Sequence, residues 1–217
     1  MSQVFFSYSR NDMRNAYLQQ FYKDLVNEVR QKDGTIPSTR PDGEVVFLDT
    51  TEIPVGTNWK KELIDSLQDC RAFVCVYSPG YFNSEYCGKE FAVFQRRLAA
   101  VGRKAPTLMF PVLWEMNQGV RTAIAGAVAG IQDTHGNFAK EYAEEGLNYL
   151  MRQDTRQYEK FLHYFTKTLV DTIIAAVFAP MPSASVSTAT AVKPGFFSNW
   201  RKANLRSFIG EGENIEH

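Results

Sequence analysis

One carboxylate, Glu90, lies where an apolar strand pattern turns into a helical one. The apolar run at residues 72–77 ends at Ser78-Pro79-Gly80, and the helical spacing that follows continues to Leu98. In an open parallel sheet, ligands bind where loops leave the carboxyl ends of the strands. Tyr86 precedes Glu90 by four residues, so the two side chains share a helix face. Glu90 is therefore the first candidate for chemistry, although an isolated glutamate on a helix is more often a solvated surface residue.

Two other strand exits carry polar and aromatic side chains. The first is residues 8–12, the second is residues 49–59, and the third is the stretch 78–90 that holds Glu90. If the strands are parallel, all three exits open on one edge of the sheet. They would bring two aromatic rings, a guanidinium, a carboxylate and a loop with proline and glycine to one cleft. The candidate site residues are Tyr8, Ser9, Arg10, Asp49, Trp59, Ser84, Tyr86 and Glu90.

The elements that would position these side chains alternate along the chain. Apolar runs at residues 4–9, 45–48, 72–77 and 107–113 predict strands, and the segments after the first three show helical spacing. Asn11 or Asp12 is expected to cap the first helix. Pro111 cannot donate to a ladder, so its strand should lie at an edge, a bulge or a strand end. The pattern predicts an α/β fold with a parallel sheet of four to five strands flanked by helices on both faces.

Composition narrows the function classes. Twenty-four basic and twenty-four acidic residues cancel over 217 residues, so no global field attracts nucleic acid or an anionic membrane. No run of eighteen apolar residues occurs, so neither a membrane span nor a secretory signal is expected. Three cysteines without metal-type pairing and three scattered histidines predict no metal site. A cytoplasmic protein with reduced core cysteines is expected.

Several catalytic motifs are absent from the sequence. It contains no glycine-rich phosphate loop, no Gly-x-Ser-x-Gly elbow and no His-Glu-x-x-His. A Ser-His-Asp triad would have to recruit His135 or His163, which lie far along the chain in a predicted loop and helix.

The C-terminal part differs in composition from the rest. Residues 180–190 are rich in proline, serine, threonine and alanine and are typical of a linker. Residues 196–206 mix aromatic and basic side chains, which indicates either a docking segment or a disordered tail. We expect a domain at 1–178 and a linker with a basic-aromatic tail at 179–217.

Motifs in the first half of the chain resemble one known family. They are FFSYSR at 5–10, FLD at 47–49 with IPVG at 53–56, VCVYSP at 74–79, SEYCGKE at 84–90 and FPV at 110–112. Together they are similar, in order, to the strand and loop motifs of Toll/interleukin-1 receptor (TIR) domains, and the likeness is to the prokaryotic branch. One departure is Tyr86, which stands where most relatives have tryptophan.

The resemblance implies a flavodoxin-like fold and, in many members, cleavage of NAD at the nicotinamide–ribose bond. Glu90 matches the catalytic glutamate of the family. The other candidate residues would contact NAD, which is the substrate, so no cofactor is implied. The products would be nicotinamide with ADP-ribose or with a cyclic isomer that acts in nucleotide signalling. An NAD glycohydrolase of bacterial anti-phage defence is thus the first hypothesis.

The resemblance also implies assembly. Family members often complete the cleft with a neighbour's BB loop, here residues 50–58, so a homo-oligomer is expected. The second hypothesis is a catalytically silent TIR module that scaffolds other TIR proteins. A third possibility is that the chain is the N-terminal portion of a longer protein, or that its tail docks a sensor or effector protein. Structural roles also remain open: Trp59 could pack its helix on the sheet, Tyr8 could cover the sheet's end, Arg10 could pair with Asp12 or Asp49, and Ser84 could be a helix N-cap.

Overall fold

Four parallel strands form the sheet within the part of the chain that the structure describes. The structure, a computed structural model, describes residues 4–48, 66–101, 108–127 and 138–176. The described strands are β1 (Val4–Ser7), β2 (Val46–Leu48), β3 (Ala72–Tyr77) and β4 (Met109–Leu113). They lie in the order β2-β1-β3-β4, with all neighbours parallel. The predicted parallel α/β fold is confirmed.

Helices connect and cover the strands. The helices in the described ranges include α1 (Ala16–Asp33), α2 (Asp42–Val45), α3 (Pro79–Asn83), α4 (Glu85–Val101), α5 (Gln118–Ala127), α6 (Lys140–Glu145), α7 (Leu147–Gln153) and α8 (Thr155–Ala175). A 3₁₀ turn at Asp12–Arg14 precedes α1, and residues 66–69 are also helical. None of the helices in the described ranges is both long and apolar enough to cross a membrane.

Helices pack on both faces of the sheet because successive strand residues point to opposite sides. Phe6 of β1 contacts Phe21 of α1, with ring centroids 6.0 Å apart. Its neighbour Phe5 stacks on Phe73 of β3 at 5.5 Å, and Phe73 stacks on Phe94 of α4 at 5.1 Å. Both faces of the sheet are therefore buried under apolar contacts, one against α1 and the other against α4. The continuous apolar runs in the strands predict this two-sided burial.

The α1 face is completed by α8. Phe21 lies 6.4 Å from both Phe161 and Phe165, and Phe165 meets Phe110 of β4 edge-on. Val170 and Ile173 continue the buried stripe of α8. By helical spacing, the sequence places Thr172 and Ala176 on the same stripe as Phe161, Phe165 and Leu169, but both are only partly buried.

The strand with Pro111 lies at the end of the described sheet. Pro111 is in register with Cys75 of β3, and β3 is the described neighbour of β4. The missing N–H therefore removes no bond to a second described strand, which agrees with the edge position, one of the three predicted for Pro111.

The first helix begins later than the sequence predicts. Asn15, in an extended conformation, accepts a hydrogen bond from the Tyr17 backbone N–H and is the N-cap of α1. The expectation that Asn11 or Asp12 caps this helix is wrong, because the 3₁₀ turn intervenes and the Asp12 carboxylate is bonded to Ser78. The hydrogen bond between Ser78 and Asp12 thus connects the loop after β1 to the end of β3.

The sequence pattern at residues 142–151 predicts one short helix, but the structure divides this stretch between α6 and α7. Gly146 adopts φ +94° between α6 and α7, a conformation that L side chains rarely adopt. A Cβ at this position would lie 2.5 Å from the Trp114 carbonyl oxygen, so the chain passes close to the end of β4 here. The predicted C-terminal linker and tail at 179–217 lie outside the described residues.

Candidate functional site

A cleft opens at the carboxyl ends of β1 and β3. It has a volume of about 460 Å³. Its described lining comes from three pieces of structure: the end of β1 with the loop that follows, α3, and the first turns of α4. The lining residues are Phe6, Tyr8, Ser9, Arg10, Asn11, Gly80, Asn83, Ser84, Glu85, Tyr86, Cys87 and Glu90.

Glu90 brings a carboxylate into this cleft although its side chain is 6% exposed. Its Oε2 accepts a hydrogen bond of 2.5 Å from the hydroxyl of Ser7, the last residue of β1. A buried carboxylate needs such partners, because without them burial strongly disfavours the charged form. Glu90 is therefore held at the boundary between core and cleft, and it is not a solvated surface residue.

Local capping sets where α4 begins. Ser78 caps α3 by accepting from the Tyr81 backbone N–H at 2.9 Å, and Pro79 occupies the first turn, where its missing N–H is harmless. Ser84 ends α3 and its hydroxyl accepts from the Cys87 backbone N–H at 3.3 Å, as an N-cap does. The expectation that Ser84 is a helix N-cap is confirmed.

The loop after β1 packs closely on α3. A Cβ on Gly80 would lie 2.8 Å from Ser9 Oγ and 3.0 Å from Asp12 Oδ1. Asp12 accepts a hydrogen bond from the Ser78 hydroxyl. Burial raises the pKa of the Asp12 carboxyl, while the Ser78 bond acts in the opposite direction. Glycine at position 80 thus allows the two strand exits to meet.

Tyr86 presents an aromatic ring to the cleft. The Lys89 ammonium lies 5.4 Å from the centroid of this ring, in the range of a cation–π contact. Lys89 also pairs with Glu85 at 2.8 Å, one helical turn away. The three side chains form a surface group on the first turns of α4, and both Tyr86 and Glu85 line the cleft.

Buried hydroxyl and thiol groups in and beside the cleft stay protonated. Burial raises the pKa of Tyr77, Tyr81 and Cys87 well above the ordinary values. The Cys87 thiol donates to the Tyr8 carbonyl oxygen at 3.2 Å. Burial also raises the pKa of Cys75 to about 12. These groups are poor nucleophiles, because attack requires the thiolate or phenolate.

The three cysteines are free and buried, as expected for core residues. Within the described part of the chain, no group of three histidine, cysteine or carboxylate side chains is arranged to hold a metal ion.

Six of the predicted site residues line the same cleft. They are Tyr8, Ser9, Arg10, Ser84, Tyr86 and Glu90. Asp49, Trp59 and the predicted BB loop at 50–58 lie outside the described residues.

Sequence reasoning missed Ser7, Gly80 and Asn83. Asn83 and Gly80 line the cleft, and Ser7 bonds the candidate carboxylate from behind. The sequence carries no clear signal for Ser7, because it does not show which helix packs on the strand face that Phe5 and Ser7 share.

Comparison with known families gives one result. A family profile described as "TIR domain" matches residues 4–151, which is more than half of the chain. Comparisons with curated proteins and with solved structures give no significant match. The matched range contains the four described strands and every described residue of the cleft. On this match, together with the parallel sheet and the cleft at its carboxyl edge, the chain belongs to the TIR domain family.

Proposed function

We propose that this protein cleaves the nicotinamide–ribose bond of NAD, with Glu90 as the catalytic residue. The observation that supports the proposal most is the placement of Glu90, a buried carboxylate that lines a cleft large enough for part of a dinucleotide. NAD-cleaving enzymes occur in the TIR domain family, to which the chain belongs. The proposal also agrees with the position of Glu90 in the sequence motif at residues 84–90.

The chemistry requires little acid catalysis. The nicotinamide of NAD is already cationic, so it leaves with the bonding electron pair as a neutral molecule. Positive charge then develops at the ribose anomeric carbon, as in glycoside hydrolysis. A carboxylate that is already in place stabilises this charge without reorganising at the moment of reaction. Water that adds to the anomeric carbon gives ADP-ribose and a proton, whereas attack by the adenine ring gives a cyclic isomer.

Other residues of the cleft fit the remaining parts of NAD. Tyr86 and Tyr8 offer aromatic faces for the nicotinamide ring. Arg10 has an exposed guanidinium at the same cleft and suits the diphosphate. Ser9 and Ser84 supply hydroxyls for the ribose or phosphate groups. Asp49 and Trp59 complete the proposed substrate contacts, as the family motif implies.

The proposal extends to assembly and biological role. TIR domains generally interact through TIR–TIR contacts, and we propose that loop 50–58 of one copy completes the cleft of the next. The enzyme would then be active when assembled, in the cytoplasm, in anti-phage defence. The tail at 179–217 would connect it to a sensor or effector protein.

One observation favours a silent scaffolding module as the second candidate. Tyr86 stands where most relatives have tryptophan, and the Lys89 ammonium already lies over its ring. A smaller ring with a cation beside it offers a weaker surface to the cationic nicotinamide. In this alternative, Glu90 would remain as a structural residue bonded to Ser7.

Nicotinamide release separates the two candidates. The full chain at high concentration, with and without a crowding agent, is incubated with NAD, and Glu90→Ala is treated in parallel. Light scattering records assembly in the same samples. Release by the wild type and its loss in Glu90→Ala would support the enzyme. Equal inactivity of both proteins in assembled samples would support the scaffold.

A further inference from the structure

The spacing of β1 and α4 brings Ser7 to Glu90. Phe5 of β1 is aligned with Phe73, which stacks on Phe94 of α4. Two residues farther along the strand, about 6.6 Å, comes Ser7 on the same face. One turn earlier along the helix, about 6 Å, comes Glu90 on the face of Phe94. The two steps match, so the aromatic stack sets the register that pairs the hydroxyl with the carboxylate.

The hydrogen bond itself is short. Ser7 Oγ lies 2.5 Å from Glu90 Oε2, within the range of hydroxyl groups that donate to an ionised carboxylate. Ser7 is 1% exposed and is absent from the described cleft lining, so its hydroxyl approaches the carboxylate from the core side. Such a bond restricts the rotation of the carboxylate without occupying space in the cleft.

A second hydroxyl stands behind the first. Ser7 Oγ lies 3.3 Å from Tyr81 Oη, and both groups are buried. Ser7 has one hydroxyl proton, and the shorter bond assigns that proton to Glu90. The Tyr81 phenol, which burial keeps protonated by raising its pKa, then donates to Ser7. The order of donation is Tyr81 to Ser7 to Glu90.

We propose that Ser7 is a positioning residue for the Glu90 carboxylate and that Tyr81 orients the Ser7 hydroxyl. This inference rests on the proposed function, which it deepens by naming the residues that hold the catalytic group. Ser7 acts through Glu90 and touches no substrate. Its removal changes the stabilisation of developing charge and leaves the cleft surface intact.

The first test compares two isosteric variants. Ser7→Thr keeps a hydroxyl and Ser7→Val replaces it with a methyl group of similar volume, so their difference isolates the hydrogen bond. We expect Ser7→Val to lower kcat roughly 10- to 100-fold relative to Ser7→Thr, as loss of a hydrogen bond to a charged group predicts. KM for NAD should change little, because binding contacts remain. Tyr81→Phe should lower kcat by a smaller factor in the same direction.

A matched control separates positioning from stability. Thr166 of α8 is buried and its hydroxyl donates to the Leu162 carbonyl oxygen, on the α1 side of the sheet. Thr166→Val therefore deletes a buried hydroxyl away from the cleft. It should lower the melting temperature about as much as Ser7→Val and leave kcat unchanged. An equal fall in kcat for both variants, or equal kcat for Ser7→Thr and Ser7→Val, would overturn the proposal.

The second test does not depend on activity. The ¹³Cδ resonance of Glu90, assigned by its loss in Glu90→Gln, is titrated with pH in Ser7→Thr and Ser7→Val. Cys87 and Tyr81 pack beside these groups, and burial raises the pKa of each, so neither titrates in the acidic range. The midpoint should lie at higher pH in Ser7→Val than in Ser7→Thr, because the charged form has lost its donor.

The outcomes of the two tests are independent of each other. If the wild type releases no nicotinamide, the proposed function is wrong, and the titration alone decides whether Ser7 holds the carboxylate. Coincident midpoints for the two variants would refute the Ser7 pairing even in an active enzyme. If either variant does not fold, Tyr81→Phe is titrated against the wild type: a midpoint at higher pH supports the Tyr81–Ser7–Glu90 arrangement, and coincident midpoints refute it.

Discussion

Two carboxylates at the strand exits are each bonded to a serine hydroxyl from the core. Ser7, which ends β1, donates to Glu90, and Ser78, which follows β3, donates to Asp12. Only Glu90 lines the described cleft. Asp12 instead joins the loop after β1 to the start of α3, so the same type of bond has a structural role there.

Asp12 should make stability depend on pH. Burial raises the pKa of its carboxyl above 3.8, so the folded protein favours the protonated form. The stabilisation is complete below pH 3.8 and is lost as the pH rises through the folded-state pKa. Asp12→Asn, which mimics the neutral form, should melt a few degrees above the wild type at pH 7. The gap should close as the pH falls toward 4 in thermal scans; a gap that is constant with pH would contradict this explanation.

Glu90 was predictable as a site residue, whereas the groups that hold it were not. The helix pattern placed Glu90 beside the inward face that contains Cys87 and Phe94, and the strand exit placed it near a cleft. Ser7 lies within an apolar run of residues, where a serine can simply occupy a core position. Only the contact between β1 and α4 assigns it a partner.

At the scale of elements, the cleft depends on how closely two strand exits approach. The loop after β1 and the helix α3 meet at Gly80, where a side chain has little space. The loop carries Tyr8, Ser9 and Arg10 on one wall, and α4 carries Glu90 on the other. The width of the cleft therefore depends on residue 80.

Gly80→Ala should distort this junction. The added Cβ would approach Ser9 Oγ to 2.8 Å and Ser9 Cβ to 3.1 Å, so the loop must shift. We expect a loss of roughly 1–3 kcal/mol in the free energy of unfolding, the usual effect of overpacking. KM for NAD should also rise. Chemical denaturation and steady-state kinetics measure both.

Gly43→Ala is the matched control. A Cβ at Gly43 of α2 meets nothing within 4 Å, so alanine should be neutral or stabilising by about 0.5–1 kcal/mol in a helical turn. Equal stability of the Gly80 and Gly43 variants would show that the junction tolerates a side chain.

Element types were predictable, but their boundaries were not. Apolar runs indicated all four described strands, and Pro111 indicated an edge, a bulge or a strand end. The separate short helix α3 and the late start of α1 after Asn15 were not predicted, because several nearby polar residues could cap each helix. Tertiary contacts, such as the bond between Asp12 and Ser78, select among them.

At the scale of the whole molecule, the packing extends beyond the family match. The match ends at residue 151, but α8 buries eight residues, including Phe161 and Phe165 against α1. Burial of each large apolar side chain contributes roughly 1.5–3 kcal/mol. Because a whole domain is stable by about 5–15 kcal/mol, α8 is essential to the fold.

Truncation tests this boundary. A chain that ends at residue 178 should retain a cooperative thermal transition measured by circular dichroism. A chain that ends at residue 153 should lose it, because the faces of Phe21 and Phe110 that contact α8 would be exposed. Similar transitions for the two truncated chains would place α8 outside the folded domain.

The most direct test of the central claim is the rate of nicotinamide release by Glu90→Gln. This change keeps the shape of the side chain and removes the charge that would stabilise the ribosyl cation. Glu159→Gln, on the exposed side of α8, makes the same chemical change away from the cleft. We expect the wild type and Glu159→Gln to release nicotinamide at similar rates. In Glu90→Gln the rate should fall by about 100-fold or more, as it does when one charge-stabilising group is removed from an active site. Equal rates for all three proteins would contradict the assignment of Glu90 as the catalytic residue.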